Sequence, residues 1–309
     1  MQSFAQFDEH LHRIWNAALP HDPLASMPFM TYTWHAHWFS CFGSDERLSI
    51  LADTDTGVIL PLSIKDAIAR FSGGAEIADY LDAVGAPNQK GKVWAQALPF
   101  LKAQGVTALS LRNIHADSAT LTFFRSLTGS IIKQEDTTPV ISLPASFDDY
   151  LLSLDRKDRH ELKRKMKKFE AEHDGIIFTH AKGDSISISV LLTLMRNDPD
   201  KLTFLTPPME KFFTGLPTAV SDSIMQFMLY KSDQIITTTL AFRTPDSLLL
   251  YNSGFDPAYP GSGWYIKVKT IAWAIDQHIP TYNLLQGNER YKYDLGAKDN
   301  PVYNISLPL

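Results

Sequence analysis

Three things are scarce in this sequence: cysteine, long apolar runs and an excess of positive charge. Among its 309 residues Cys41 is the single cysteine, so no intrachain disulfide can form and a disulfide-stabilised scaffold is excluded. Apolar runs such as Val190–Met195 fall far short of the roughly 20 residues that a membrane-spanning helix needs. The net charge of -5 argues against a protein whose whole surface binds nucleic acid. Because Asp8 and Glu9 also interrupt the start of the chain, where a signal peptide would be apolar, we expect a cytoplasmic protein.

Several catalytic and metal-binding motifs are absent as well. The sequence has no Gly-x-Ser-x-Gly elbow, no Gly-Lys-Ser or Gly-Lys-Thr phosphate loop and no Asp-rich calcium loop. In a helix predicted over 31–42, His37 and Cys41 share a face, but two ligands are too few for zinc. We therefore expect no metal site, and neither a hydrolase nor an ATPase finds support in the sequence.

Length and composition indicate a globular protein of two domains. With 44% hydrophobic and 20% charged residues, the chain can bury real cores. Its length suits two domains of about 150 residues each. Pro144 interrupts an extended segment, and Ser146 with Asp149 forms a capping box for the next helix. We place the boundary there, which gives domains over 1–143 and 144–309.

Apolar periodicity predicts alternating helices and strands, and so a fold of the α/β (α+β) class. In the first half, a stripe from Phe4 to Ala18 predicts an amphipathic helix. In the second half, a basic helix over 156–173 precedes three strands that turn residues separate into an antiparallel meander. We place these strands at 224–230, 235–242 and 247–253. A glycine-rich loop then opens another helix, and a strand over 282–285 follows.

Two segments near the end of this pattern carry the signals for chemistry. The loop Pro260-Gly261-Ser262-Gly263 lets backbone N–H groups approach a ligand at a helix N-terminus, which favours a phosphate. It lacks the third glycine of a dinucleotide fingerprint, and an ordinary helix entry is the alternative. The segment 286–296 places an acid, two phenols and a lysine between glycines, either beside a reacting carbonyl or thiol or as a solvated loop.

Together these segments resemble the CelD-type acetyltransferases associated with bacterial cellulose biosynthesis, a family of the GNAT superfamily. The resemblance covers most of residues 143–300 and is looser in the first half. It rests on the order and spacing of the motifs Leu143-Pro144-x-Ser146-Phe147, Tyr251-Asn252-Ser253-Gly254-Phe255-Asp256-Pro257, Pro260-Gly261 and Gly287-x-Glu289-x-Tyr291-Lys292-x-x-Leu295-Gly296.

The resemblance implies tandem GNAT-like domains, as in the Fem aminoacyltransferases, with mixed and largely antiparallel sheets flanked by helices. It implies a degenerate first domain and a second domain that takes acetyl-CoA or another acyl-CoA as co-substrate. In GNAT enzymes two central strands splay apart, pantetheine lies along the first, and the pyrophosphate binds the following loop and helix. Carried over, the cofactor-binding residues are Ser253, Gly254, Gly261, Ser262, Gly263 and Lys267. The Arg or Gln that begins the usual phosphate loop has no counterpart here, where Tyr259 and Pro260 stand.

Attack of an amine or hydroxyl on a thioester needs an acceptor for the nucleophile's proton, a donor to the oxyanion and an acid for the thiolate. We assign these roles to Glu289, to the backbone N–H of Ser253 or Gly254, and to Tyr291. Lys292 is assigned to stabilise negative charge. The alternative is that Tyr291 and Lys292 only fix the C-terminal segment against the core.

The helix predicted over 156–173 is strongly basic. Between Arg156 and Lys168 it carries eight basic and two acidic side chains, arranged around an apolar stripe. A solvated helix face explains this pattern. So does docking of an anionic acceptor, of the CoA 3′-phosphate or of an aminoacyl-tRNA acceptor stem.

The sequence thus predicts an acyltransferase that moves an acetyl or longer acyl group from acyl-CoA to an amine or hydroxyl acceptor by direct attack. The acceptor is a small molecule, a polysaccharide or a peptide. One alternative is a Fem-like transferase that uses aminoacyl-tRNA, the single case in which a nucleic acid is a partner. Another is a catalytically silent binding subunit of a polysaccharide-biosynthesis system.

Overall fold

The computed structural model describes all residues from Met1 to Leu309. Its strands are β1 (Gln2–Phe4), β2 (Arg47–Asp53), β3 (Val58–Lys65), β4 (Ile68–Phe71), β5 (Ala108–His115), β6 (Ile131–Thr137), β7 (Val140–Ser142), β8 (Ile176–Lys182), β9 (Ile224–Lys231), β10 (Gln234–Arg243), β11 (Ser247–Phe255), β12 (Thr281–Asn283) and β13 (Pro301–Pro308). Its helices are α1 (Glu9–Ala18), α2 (Tyr32–Phe42), α3 (Pro87–Ala103), α4 (Ala119–Ser126), α5 (Phe147–Ser153), α6 (Arg156–Glu172), α7 (Ile188–Met195), α8 (Pro199–Phe204), α9 (Pro207–Ala219), α10 (Ser262–Asp276) and α11 (Arg290–Asp294).

The contacts of the chain form two compact units. The first unit comprises Met1–Thr137 with Asn300–Leu309, and the second unit comprises Thr138–Asp299. The domain bounds expected from the sequence, 1–143 and 144–309, differ from these units and remain a prediction. No helix combines the length and the apolar character that a membrane crossing requires.

The first unit is built on a seven-stranded sheet with the order β1-β2-β3-β4-β5-β13-β6. Strands β2, β3 and β4 form an antiparallel meander, and α3 then leads to β5, which pairs with β4 in parallel. The last strand, β13, lies between β5 and β6 and is antiparallel to both. The helix predicted from Phe4 to Ala18 begins only at Glu9 in the structure. Phe4 belongs to strand β1, and Asp8 is the N-cap residue of α1.

A buried charge cluster lies among these elements of the first unit. The ammonium group of Lys90 is 2.9 Å from a carboxylate oxygen of Asp22 and 2.9 Å from one of Asp82, and all three side chains are almost fully buried. Ser118 donates a hydrogen bond to Asp82 at 2.7 Å, and the Gly85 amide donates to Asp22 at 3.0 Å. A buried lysine is tolerated here because two carboxylates neutralise it and further donors satisfy their oxygens.

The second unit repeats this connectivity on a six-stranded sheet with the order β7-β12-β11-β10-β9-β8. Strands β9, β10 and β11 form the predicted antiparallel meander, α10 follows, and β12 then pairs with β11 in parallel. Helix α10 packs on the sheet through residues such as Ile266, Val268 and Ile271, which are fully buried. Burial of this apolar face holds the N-terminus of α10 at a fixed place beside the end of β11.

Candidate active site

The two parallel strands of the second unit separate soon after they meet. Residues Ser247–Leu249 of β11 pair with Thr281–Asn283, and β11 then continues to Phe255 while the other chain turns away. The register between β10 and β11 shifts at this point, so Tyr251 is the extra residue of a β-bulge. Beyond Leu249, one edge of β11 therefore has no strand partner.

The alternation of hydrogen bonds along β11 decides which backbone groups lie on this open edge. The Asp256 amide donates to the Ile236 carbonyl of β10, and in an antiparallel pair every second residue bonds to the neighbouring strand. Gly254 follows the same phase as Asp256 and points its N–H toward β10. Ser253 and Phe255 have the opposite phase, so the Ser253 amide lies on the open edge.

Side chains of α8 and of the short connection before it contact the same edge. The ammonium group of Lys201, in α8, donates a hydrogen bond to the Ser253 carbonyl, and the Asn197 side chain donates to the Phe255 carbonyl at 3.1 Å. The close approach depends on Gly254, because a Cβ atom there would lie 2.5 Å from the Met195 nitrogen of α7. Burial lowers the pKa of Lys201, and nearby Asp198 and Glu289 oppose that shift.

The glycine-rich loop caps α10 at the same end of β11. Gly261 is the N-cap residue and has φ +90°, a left-handed conformation that favours glycine. No side chain caps this helix, whereas the Ser262 hydroxyl is buried and has no hydrogen-bond partner. A Cβ atom on Gly263 would lie 3.4 Å from the Phe255 ring, an ordinary contact. The first turn of this long helix therefore has no side-chain cap.

Lys267 lies one turn into α10 and faces this region. Its ammonium group donates to the Gly263 carbonyl at 2.9 Å and lies 4.9 Å from the centre of the Tyr291 ring, a cation–π distance. Burial lowers the pKa of Lys267 to about 8; the positive charges of Lys201 and Lys292 act in the same direction, and Glu289 opposes them. A lysine with this pKa exchanges its proton close to neutral pH.

Glu289, Tyr291 and Lys292 come together at α11, where Glu289 is the N-cap residue and the other two lie within the helix. Burial, with the negative charge of Glu289, raises the pKa of Tyr291, so the phenol keeps its proton at neutral pH. Glu289 has a half-exposed carboxylate that is 3.0 Å from the Lys292 ammonium group. Lys292 itself is buried, and it donates to the carbonyls of Leu285, Gln286 and Gly287 at 3.0, 2.6 and 3.0 Å.

A basic pocket lies on the outer side of the glycine-rich loop. It has a volume of about 390 Å³, and α6 and the start of α10 line it. Lys165, whose ammonium group is 5.4 Å from the Trp264 ring centre, and Lys168 contribute positive charge beside Gly261. Glu161 and Glu172 pair with residues of α6, so part of this charge is balanced within the helix.

The second unit therefore brings most of the predicted site residues to one end of β11. Lys267, Tyr291, Glu289 and Lys292 are electrostatic neighbours, and Ser253 and the loop 261–263 flank them. Sequence reasoning missed Lys201, because an isolated lysine in a short helix carries no local signal. The roles assigned to all these residues stay predictions. His37 and Cys41 are not part of any group of three or more metal-ligating side chains.

Comparison with known proteins relates the second unit to a protein family. Residues 156–293 match the family model of the acetyltransferase (GNAT) domain, which spans the basic helix, the meander, the glycine-rich loop and most of α11. Over these residues the chain is similar to the GNAT acetyltransferase domain family. No curated protein matches the sequence significantly.

Solved structures extend the similarity of fold over nearly the whole chain. L-PGS from Bacillus licheniformis has a TM-score of 0.65 at 11% identity, over 100% of this chain and 94% of that one. FemX has a TM-score of 0.63 at 11% identity, over 98% of this chain and 97% of that one. A tandem GNAT protein from the clavulanic acid biosynthesis pathway has a TM-score of 0.54 at 13% identity, over 98% and 96%. The predicted fold class, GNAT-like with two mixed sheets flanked by helices, is confirmed.

Proposed function

We propose that the second unit transfers an acetyl or longer acyl group from acyl-CoA to an amine or hydroxyl acceptor. The observation that carries this proposal is the open edge of β11 beyond Leu249, with the uncapped N-terminus of α10 at its end. An extended pantetheine can hydrogen-bond to such an edge, and the phosphates can take the helix N-terminus. We also propose that the acyltransferase is of the CelD type and acts in the cytoplasm, on a small-molecule, polysaccharide or peptide acceptor.

The reaction is a direct displacement at the thioester carbonyl. The acceptor's nitrogen or oxygen forms a bond to the carbonyl carbon, and Glu289 takes the proton that it loses. The Ser253 amide donates to the developing oxyanion, and the cationic form of Lys267 adds stabilising charge. As the carbon–sulfur bond breaks, the Tyr291 phenol, which carries its proton at neutral pH, gives that proton to the departing thiolate.

Lys292 has a positioning role in this scheme. Its ammonium group is enclosed by three carbonyl oxygens and the Glu289 carboxylate, so it has no donor left for a substrate. It orders the turn 285–287 and holds Glu289 near Tyr291. We therefore assign to Lys267 the charge-stabilising role that the sequence assigns to Lys292.

Binding and turnover test the proposal separately. Acetyl-CoA, longer acyl-CoAs and free CoA should raise the thermal unfolding temperature if the folded second unit binds them. Tyr291→Phe should lower acyl transfer by about 100-fold or more and leave the thermal shift unchanged, since general-acid catalysis contributes roughly that much. Tyr293→Phe, on the same short helix, is the matched control and should retain activity. No shift with any thioester would reject acyl-CoA as the donor.

One observation favours a second candidate, transfer of an aminoacyl group from tRNA. The basic pocket beside Gly261 can hold nucleic-acid phosphates as well as those of CoA. In addition, Lys201 and Asn197 already hydrogen-bond to carbonyls of the edge that pantetheine would use. Salt-sensitive tRNA binding that Lys165→Glu and Lys168→Glu abolish, and the exposed control Lys182→Glu does not, would support this donor.

A catalytically silent binding subunit is the third alternative. It predicts that acyl-CoA raises the unfolding temperature while no acceptor is acylated, and that Tyr291→Phe changes neither result. A product detected by mass spectrometry in the wild-type reaction and lost in Tyr291→Phe would exclude it.

A further inference from the structure

The first unit contains a cavity of its own, with a volume of about 430 Å³. Its floor is one face of the sheet, where Ser63 of β3 lies directly across from Arg70 of β4. Strand β5 runs parallel to β4 from Ala108 onward and places Ser110 and Arg112 next along the same face. A polar floor at this place is unusual, because the inner face of a sheet under a helix is ordinarily apolar.

Aromatic residues and a glycine-containing turn form the walls. Trp38 and Phe42 of α2 line the cavity on one side, and Gly74 lines it on the other. Gly74 has φ +79°, and a Cβ atom there would lie 2.2 Å from the indole nitrogen of Trp38. That nitrogen donates to the Glu76 carboxylate at 3.2 Å, which fixes the ring against the turn. This wall of the cavity therefore leaves no room for a side chain at Gly74.

Several polar groups in this cavity have no partner within the protein. The Ser63 hydroxyl is buried, with the residue 1% exposed, and makes no hydrogen bond. One carboxylate oxygen of Glu46 is buried and also lacks a partner. Arg70 and Arg112 line the cavity without an ion pair or hydrogen bond, whereas Lys65 pairs with Asp45 at 2.6 Å. Buried polar groups without partners are rare in native proteins, and they mark places where a ligand or water completes the site.

We propose that this cavity binds a free α-amino acid with an apolar side chain. Arg70, Arg112 and the Ser63 hydroxyl can hold its carboxylate, since unpaired guanidinium groups suit a carboxylate. A carboxylate oxygen can only accept hydrogen bonds, so the orphaned oxygen of Glu46 requires a donor, which the ammonium group supplies. Trp38 and Phe42 provide the apolar surface for the side chain. The volume lies within the range of small-molecule sites, about 300–1,000 Å³.

The site is independent of the proposed acyl transfer, because every residue that lines it belongs to the first unit. Neither Tyr291 nor the loop 261–263 is among the residues that line it. A failure of the proposed acyl transfer would therefore leave this proposal standing, and a failure of the amino-acid site would leave the acyl transfer standing.

Isothermal titration of the full chain with L-leucine, L-methionine and L-phenylalanine tests the proposal. We expect saturable binding of at least one of them, with one molecule per chain. The decarboxylated and the deaminated analogues of that amino acid should each bind at least about 10-fold more weakly, because each loses one charge-assisted contact.

Variants then locate the binding. Arg70→Met, Arg112→Met and Glu46→Gln should each weaken binding at least about 10-fold, whereas Arg13→Met, an exposed arginine on α1, should not change it. Arg112 is exposed, so its replacement leaves the core intact and keeps the test valid if another variant fails to fold. The proposal is overturned if none of the three amino acids binds saturably, if either analogue binds as tightly as its parent, or if Arg112→Met binds like the wild type.

Discussion

Three buried or partly buried lysines in this protein illustrate three different ways of accommodating an ammonium group. Lys90 is neutralised by two buried aspartates, and Lys292 is satisfied by three carbonyl oxygens and one carboxylate. Lys267 has only one carbonyl acceptor and the face of Tyr291, and positive neighbours surround it. The folded state therefore disfavours the charged form of Lys267. A lysine whose pKa is shifted in this way is typical of residues that bind a ligand or take part in a reaction.

Replacement of this charge should stabilise the protein. Lys267→Met keeps most of the packing, and we expect it to raise the free energy of unfolding at pH 7 on the order of 1–3 kcal/mol. The pKa of Lys267 is about 8 when folded, against 10.5 for the unfolded chain. The gain should therefore be complete below pH 8 and shrink as the pH rises toward 10.5, where the wild type also becomes neutral. Urea unfolding at pH 7 and pH 9.5 measures it.

Lys163→Met, an exposed lysine on α6, is the control for this experiment and should change stability little at either pH. A destabilised Lys267→Met at pH 7 would contradict the prediction. It would mean that the hydrogen bond to Gly263 and the ring contact outweigh the penalty of burial.

Single residues of the site were predictable only where a local motif marked them. Glu289, Tyr291 and Lys292 lie within four consecutive residues, so one spacing pattern includes all three. Lys201 is separated by about fifty residues from Ser253, whose carbonyl it contacts, and a single sequence holds no sign of that pairing. The sequence also does not indicate whether Lys292 faces a substrate or closes a turn, because its acceptors are backbone carbonyls, which every residue type has.

At the scale of elements, α7 packs closely against the part of β11 that has no strand partner on one edge. Gly254 makes that packing possible, since any side chain would collide with the backbone of Leu194 and Met195. Lys201 and Asn197 follow α7 directly and reach the open edge from there. The glycine therefore sets the geometry of the site although its own amide points toward β10.

Gly254→Ala should thus disturb both stability and the site. We expect a loss of about 1–3 kcal/mol in the free energy of unfolding, typical of overpacking against a rigid neighbour. Gly263→Ala is the matched control, because its new methyl group would meet only the Phe255 ring at 3.4 Å. Equal stability of the two variants in urea unfolding would show that α7 moves away freely, and would refute this explanation of Gly254.

Elements with strong local signals were predicted well. The structure has the meander strands at Ile224–Lys231, Gln234–Arg243 and Ser247–Phe255, within two residues of the predicted bounds, because turn residues separate them. The first predicted helix was wrong only over residues 4–8, before α1 begins. Phe4 fits the helical stripe, but its pairing with Ile50 in β2 places it in a strand, and such a distant partner overrides a local pattern.

At the scale of the whole molecule, the last strand joins the first unit. Strand β13 lies between β5 and β6, and Val302 and Ile305 are fully buried in that sheet. No periodicity within the last ten residues indicates a partner about 190 residues earlier. This is why the arrangement of the chain in space was less predictable than its individual elements.

Ile305→Ala should destabilise the first unit by about 2–5 kcal/mol, as deletion of a fully buried side chain does. Ser306→Ala, at the neighbouring exposed position, should change stability by less than about 0.5 kcal/mol. Native-state hydrogen exchange of the amides in β5 and β6 measures the effect. Unchanged protection of those amides in Ile305→Ala would contradict a central role for β13.

The position of β13 in the first sheet also affects when each unit can complete its fold during synthesis. As the ribosome synthesises the chain, residues Thr138–Asp299 emerge complete before the strand that the first sheet needs. The N-terminal sheet must wait, with β5 and β6 lacking the strand between them, until translation has passed Pro308. The part of the chain that is synthesised first therefore cannot complete its sheet until the end of the second unit has been synthesised.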